Sequence, residues 1–118
     1  MSLVIKLYVL LVLTLAVHLA EEIRTGFRIK FPFGEIPKRV FVGVNIVIYS
    51  YAVLTLVLAM QNESVSIPLI WVFAIIQILN VIGHIGFMLR AKGYFPGGYT
   101  TIPLLLIALL LTYGLVNI

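Results

Sequence analysis

Apolar residues in this chain form four long blocks, and polar residues are confined to the short segments between them. The blocks cover about residues 3–20, 40–60, 68–89 and 102–118. A helix of about 20 mostly apolar residues crosses the hydrocarbon core of a bilayer. We therefore predict an all-α, polytopic membrane protein in which residues 1–118 form a single four-transmembrane-helix bundle. Residues 21–39 are predicted to be an interfacial linker between the first two spans.

The composition supports this class. The chain has 118 residues, of which 63% are hydrophobic and 10% are charged, whereas soluble domains carry about 25% charged residues. The absence of cysteine excludes disulfides and thiolate ligands. The net charge of +4 does not indicate nucleic-acid binding, because the basic residues flank the spans. We expect membrane lipid as the surrounding partner, and leave open a homo-oligomer or a larger membrane complex.

The distribution of charge predicts the orientation. Seven of the eight Lys and Arg residues lie in segments 21–39 and 90–101, and only Lys6 lies at the other end. By the positive-inside rule, both termini face the non-cytoplasmic side of a multi-pass protein, which we expect in a prokaryotic cytoplasmic membrane. Tyr8, Trp71 and Tyr113 would then form an aromatic belt at the outer interface.

Polar residues of the spans are predicted to lie at one level, near the cytoplasmic ends of three helices. Such residues usually face the bundle interior and often mark function. His18, Glu21 and Glu22 share one helix face if the first helix continues through Glu22. The other members are Asn45 and Tyr49 in the second span, and Gln77, Asn80 and His84 in the third.

Imidazole nitrogen and carboxylate oxygen, without sulfur, are ligands of zinc and non-haem iron. We therefore predict a divalent metal site formed by His18, Glu21, Glu22 and His84. Asn80, Asn45, Tyr49 and Gln77 would orient the ligands. A structural alternative remains for each group. His18 can bond a helix carbonyl, the glutamates can pair with nearby arginines at the interface, and Asn80 with His84 can join helices by hydrogen bonds.

The loop after the third span has two interpretations. Its Tyr94, Pro96 and Gly97 form a turn signal, which is sufficient for a tight connection. Alternatively, the loop is a lid that places Tyr94 over the site, with Arg90 and Lys92 recruiting an anionic headgroup.

Three motifs in order carry a resemblance to a known family. They are His18-Leu19-Ala20-Glu21-Glu22, Asn80-Val81-Ile82-Gly83-His84 and Tyr94-Phe95-Pro96-Gly97. They resemble the His-x-x-Glu-Glu, Asn-x-x-x-His and Tyr-x-Pro-Gly signatures of the HXXEE family of small prokaryotic integral membrane proteins. The resemblance implies that these residues form one site, and it implies no particular reaction.

Three functions remain open from the sequence. The first is a metal-dependent membrane hydrolase, isomerase or oxidase acting on a lipid or another amphiphile. In this hypothesis Glu21, Glu22 and Tyr94 are the candidate catalytic residues, with a glutamate as general acid or base. The second is a small transporter or ion-coupled carrier, although no acid lies in the middle of a span. The third is a non-catalytic subunit of a membrane complex.

Overall fold

The computed structural model describes residues 2–118, which form five helices and, within that range, no strand. The helices are α1 (Leu3–Thr25), α2 (Phe27–Lys30), α3 (Lys38–Gln61), α4 (Glu63–Ala91) and α5 (Gly98–Val116). All except the short α2 are long and apolar enough to cross a membrane. By length and composition, they suggest a multi-pass membrane protein.

The helix α1 extends beyond the predicted first span and includes both adjacent glutamates. It ends at Gly26, whose φ of 80° is left-handed and whose N–H bonds the carbonyl of Glu22. Glycine is the residue that adopts this C-terminal conformation without strain. The first five residues of the predicted linker 21–39 are therefore helical, and His18 and Glu22 lie one turn apart on one face.

The helix α4 begins at Glu63, five residues before the predicted start of the third span at residue 68. Asn62 is the capping residue, and its side chain accepts a hydrogen bond from the Val65 N–H at 3.4 Å. Ser66 lies inside the helix, where its hydroxyl donates to the Glu63 carbonyl at 2.6 Å. Asn is among the strongest N-cap residues because its side-chain oxygen satisfies a free helix N–H.

Helix α5 packs closely against both α1 and α4, and α3 lies at the side against α4 with little contact to α1. Of the residues in α3, Ala52, Thr55 and Ala59 are buried. The gap that remains between α1 and α3 adjoins the polar end of α1.

Tyr8 holds α3 to the packed helices, and its predicted place in an aromatic belt is wrong. The side chain is fully buried, its hydroxyl donates to the Ala52 carbonyl at 2.7 Å, and its ring packs edge-on against Phe73. A buried hydroxyl needs such a partner because an unpaired one is costly away from water. Tyr113, in contrast, is exposed.

Replacing Tyr8 by phenylalanine is expected to destabilise the protein by about 1 kcal/mol, because one interhelical hydrogen bond is lost. The measurement is thermal unfolding in detergent, with Tyr113→Phe as the matched exposed control. Equal unfolding temperatures for the two variants would contradict this role of Tyr8.

Candidate metal centre

Helices α1 and α4 bring two imidazoles and one carboxylate together inside the bundle. His18 is 0% exposed, His84 1% and Glu22 8%. The two Nε2 atoms lie 3.1 Å apart. Glu22 Oε1 is 3.4 Å from Nε2 of His18, and Glu22 Oε2 is 3.6 Å from Nε2 of His84. Among the described residues, these three form the group of His and acidic side chains that can hold a metal ion.

The spacing of these atoms fits a first-row metal ion. Ligand atoms placed tetrahedrally at roughly 2.0–2.1 Å from zinc lie about 3.3 Å from one another. The Nε2 atoms are 3.1 Å apart, and each lies 3.4 or 3.6 Å from a different oxygen of the Glu22 carboxylate, which is close to that value. This buried cluster could therefore hold a metal ion.

Glu21, the adjacent carboxylate, faces α5 and lies outside this cluster. It accepts hydrogen bonds from the N–H groups of Tyr99 and Thr100 at 3.1 and 2.8 Å. The Thr100 hydroxyl donates to it at 2.6 Å. Glu21 thus caps the N-terminus of α5, which has no side-chain cap of its own, and a carboxylate is favourable at this positive helix end.

Thr100 connects Glu21 to His18 and sets the direction in which the imidazole can bind a metal. Its oxygen is 2.7 Å from Nδ1 of His18. Because the single hydroxyl proton is directed to the Glu21 carboxylate, the oxygen must accept a hydrogen bond from the N–H at Nδ1. Neutral His18 therefore presents an unprotonated Nε2 to His84 and Glu22.

The other imidazole, that of His84, has no hydrogen bond at Nδ1 like the one that orients His18. Its Nδ1 is buried without a hydrogen-bond partner within residues 2–118. If no cation were present, a proton on Nε2 would have to bridge the rings and leave Nδ1 as a bare acceptor. A proton on Nδ1 instead would leave two nitrogen lone pairs and a carboxylate facing one another. Either arrangement has a cost, which a cation between the three ligands, or a proton held by the Glu22 carboxyl, would remove.

The loop after α4 covers the imidazoles. Gly97 has a φ of 91°, and a Cβ at this position would lie 2.6 Å from Cε1 of His84 and 2.9 Å from Cε1 of His18. Only glycine therefore fits here without displacing a ring. Phe95 and Pro96 are buried beside it, and the rings of Phe27 and Phe95 are 5.8 Å apart. The loop thus has the covering position that a lid requires.

Tyr94 contacts Glu21 and not the three clustered side chains. Its hydroxyl donates to Glu21 Oε2 at 2.5 Å, and its ring stacks on that of Tyr99. Burial, followed by the bond to the Glu21 carboxylate, raises the pKa of Tyr94 above its ordinary value of 10. The hydroxyl therefore remains a donor at neutral pH. Arg90 and Lys92 are exposed, with the Arg90 guanidinium over the ring of Phe33.

The predicted ligand-orienting residues lie beside the cluster, and none of them bonds to it. Asn80 donates to the Gln77 side chain at 3.3 Å, and Asn45 donates to the carbonyl of Phe41 on its own helix. The buried Tyr49 hydroxyl has no protein partner in the described chain. Asn45, Gln77 and Asn80 line a cavity of about 510 Å³ that also reaches Glu22.

The sequence analysis did not identify Thr100 as a member of the site. Phe27 was assigned to the membrane interface, yet its ring lies 5.2 Å from that of His84. The feature of the sequence that points to Thr100 is its position in the first turn of a span, next to a glycine-rich loop. No spacing rule connects it to His18, which is 82 residues away.

The protein thus has four helices long and apolar enough to span a membrane, and a buried cluster of His and Glu side chains at one end of them. The family model described as "Protein of unknown function with HXXEE motif" matches residues 9–112. The chain therefore belongs to the HXXEE family. No similar protein was found among curated proteins, and none among solved structures.

The connection through Thr100 predicts the tautomer of His18. In metal-free protein labelled with ¹⁵N-histidine, His18 should carry its proton on Nδ1, and Thr100→Ser should preserve that signature. Metal is removed first because an ion on Nε2 would itself hold the proton on Nδ1. Thr100→Val should abolish it, because valine cannot accept the hydrogen bond from Nδ1. Thr101→Val is the matched control, since the buried Thr101 hydroxyl donates to the Gly97 carbonyl instead. An unchanged His18 signature in Thr100→Val would refute the connection.

Proposed function

We propose that this protein binds one divalent metal ion, zinc or non-haem iron, and uses it in a reaction on an amphiphile within the membrane. The observation that carries the proposal is the meeting of two imidazole Nε2 atoms and one carboxylate at ligand spacing in a buried place. Ionisable groups are rare inside membrane proteins and usually mark function.

The number of ligands favours catalysis over a structural role. Structural zinc sites have four protein ligands, whereas catalytic sites have three and keep one position for water or substrate. Two histidines and one glutamate form such a set of three. A metal ion held there would supply Lewis acidity, and hydrolysis or isomerisation suits zinc while oxidation suits iron.

Glu21 and Thr100 are best described as positioning residues. Glu21 is bonded to the start of α5 and to Thr100, and Thr100 orients His18. This arrangement favours an indirect role for Glu21 over the ligand or acid–base role predicted from the sequence. Partners that orient a ligating histidine typically change metal affinity 10–100-fold when removed.

Tyr94 and the loop would limit access of water. Tyr94 donates to Glu21 at one side, and Gly97 covers both imidazoles. Excluding water strengthens electrostatic interactions inside a site. The side that remains for a substrate is the cavity at Glu22, which lies between α1, α3 and α4.

Purified protein is expected to contain close to one equivalent of zinc or iron after dialysis against a weak chelator. His18→Ala, His84→Ala and Glu22→Gln should each lose most of it, because each removes one of three ligands. Thr100→Val should weaken binding by about 10-fold or more. Elemental analysis by mass spectrometry provides the measurement.

Two matched variants serve as controls for this experiment. Glu63→Gln removes a carboxylate at the opposite end of the bundle, and Thr101→Val removes the neighbouring hydroxyl. Both should retain the metal. Equal metal content in Glu22→Gln and Glu63→Gln, or none in the unmodified protein, would overturn the proposal.

A further inference from the structure

Two mainly apolar cavities meet at Glu22, and the smaller one also has two basic side chains in its lining. The larger, of about 510 Å³, extends along α1, α3 and α4 and is lined mainly by aliphatic side chains, among them Leu15, Leu19, Val44 and Ile48. The smaller, of about 280 Å³, is lined by Arg28 and Lys38 near the ends of the helices. Both cavities share Glu22, Phe27 and Phe41.

The larger cavity has the direction and lining expected for a hydrocarbon chain. It follows α3 from Val40 to Ile48, a distance of about 12 Å at the rise of an α-helix. On α1 it follows Leu15 to Glu22 over about 10 Å. A volume of about 510 Å³ is within the usual range for ligand pockets. Because α1 and α3 have little contact, the cavity adjoins the gap between two lipid-facing helices.

The smaller cavity has positive charge beside the ends of the spanning helices α1 and α3, where a lipid headgroup would lie. Arg28 is bonded to Glu35 at 3.0 Å and to the Ile36 carbonyl at 3.3 Å. Lys38 is exposed and has no ion-pair partner in the part of the chain that the structure describes. Lys38 is therefore the cation of this cavity that is free to bind an anionic group, and such contacts are strengthened near a membrane surface.

We propose that the paired cavities bind a single-chain anionic lipid, with its chain in the larger cavity and its acidic headgroup at Lys38. This placement brings the bond between head and chain to Glu22, and so to the metal centre. The inference names the substrate class of that centre and rests on the proposed function, since a metal ion would offset the repulsion between Glu22 and an anion. Binding itself can be measured without turnover.

The test compares two probes with the same 16-carbon chain, lysophosphatidic acid and lysophosphatidylcholine. Their affinities are measured by native mass spectrometry of the protein in phosphatidylcholine nanodiscs. The anionic probe should bind about five-fold more tightly. Lys38→Gln should remove most of this difference, while Lys30→Gln, which changes a nearby lysine outside the cavity, should preserve it.

A second pair of variants tests the chain site. Val44→Trp fills the larger cavity and should weaken binding of both probes at least ten-fold. Leu54→Trp adds the same bulk at another exposed position of α3, outside the cavity lining, and should have no effect. Lys38 is exposed, so its variant remains informative if Val44→Trp does not fold.

Equal affinities for the two probes, or equal effects within either pair of variants, would overturn this inference. Its failure is distinguishable from failure of the metal proposal. Metal retained in a protein that does not discriminate the probes rejects the lipid site alone. Discrimination by a protein that contains no metal rejects the metal centre alone.

Discussion

The arrangement of this protein depends on the contact between two buried imidazoles, whose Nε2 atoms lie 3.1 Å apart beside the Glu22 carboxylate. Polar groups placed in an apolar helix bundle are costly unless each has a partner. On the His18 side the partners continue through Thr100 to Glu21 and the start of α5. His84 has no such chain of hydrogen bonds, because its Nδ1 has no partner among the described residues. A cation between the ligands would complete the arrangement.

The surrounding fold is organised so that these groups meet and water is kept away. The close packing of α1 with α5 lets Glu21 cap the start of α5, which in turn fixes Thr100 against His18. The loop from α4 to α5 returns over the rings, where Gly97 leaves no space for a side chain. At the opposite end, Tyr8 bonds α1 to α3. The same α3 stays away from α1 near Glu22, which leaves the paired cavities between them.

Much of this architecture could be predicted from the sequence. The four apolar blocks predicted four spanning helices, and helical spacing placed His18 and Glu22 on one face. The same spacing could not decide between Glu21 and Glu22 as the ligand. At about 100° per residue, residues three and four positions later lie on either side of the direction of His18. Which glutamate meets the imidazoles depends on where α4 and α5 pack against α1. The contact of Thr100 with His18 depends on the same packing, so it could not be predicted from spacing either. Tyr8 was misassigned because an aromatic residue near a span end suits either the interface or the core.

The most direct test of the metal centre is X-ray absorption spectroscopy of the purified protein at the edge of its bound metal. The account predicts a shell of nitrogen and oxygen atoms at roughly 2.0–2.1 Å for zinc, with the outer scattering of two imidazole rings. His84→Ala should reduce that outer scattering to one ring or abolish metal binding. A shell of oxygen atoms without imidazole scattering, unchanged in His84→Ala, would contradict the account.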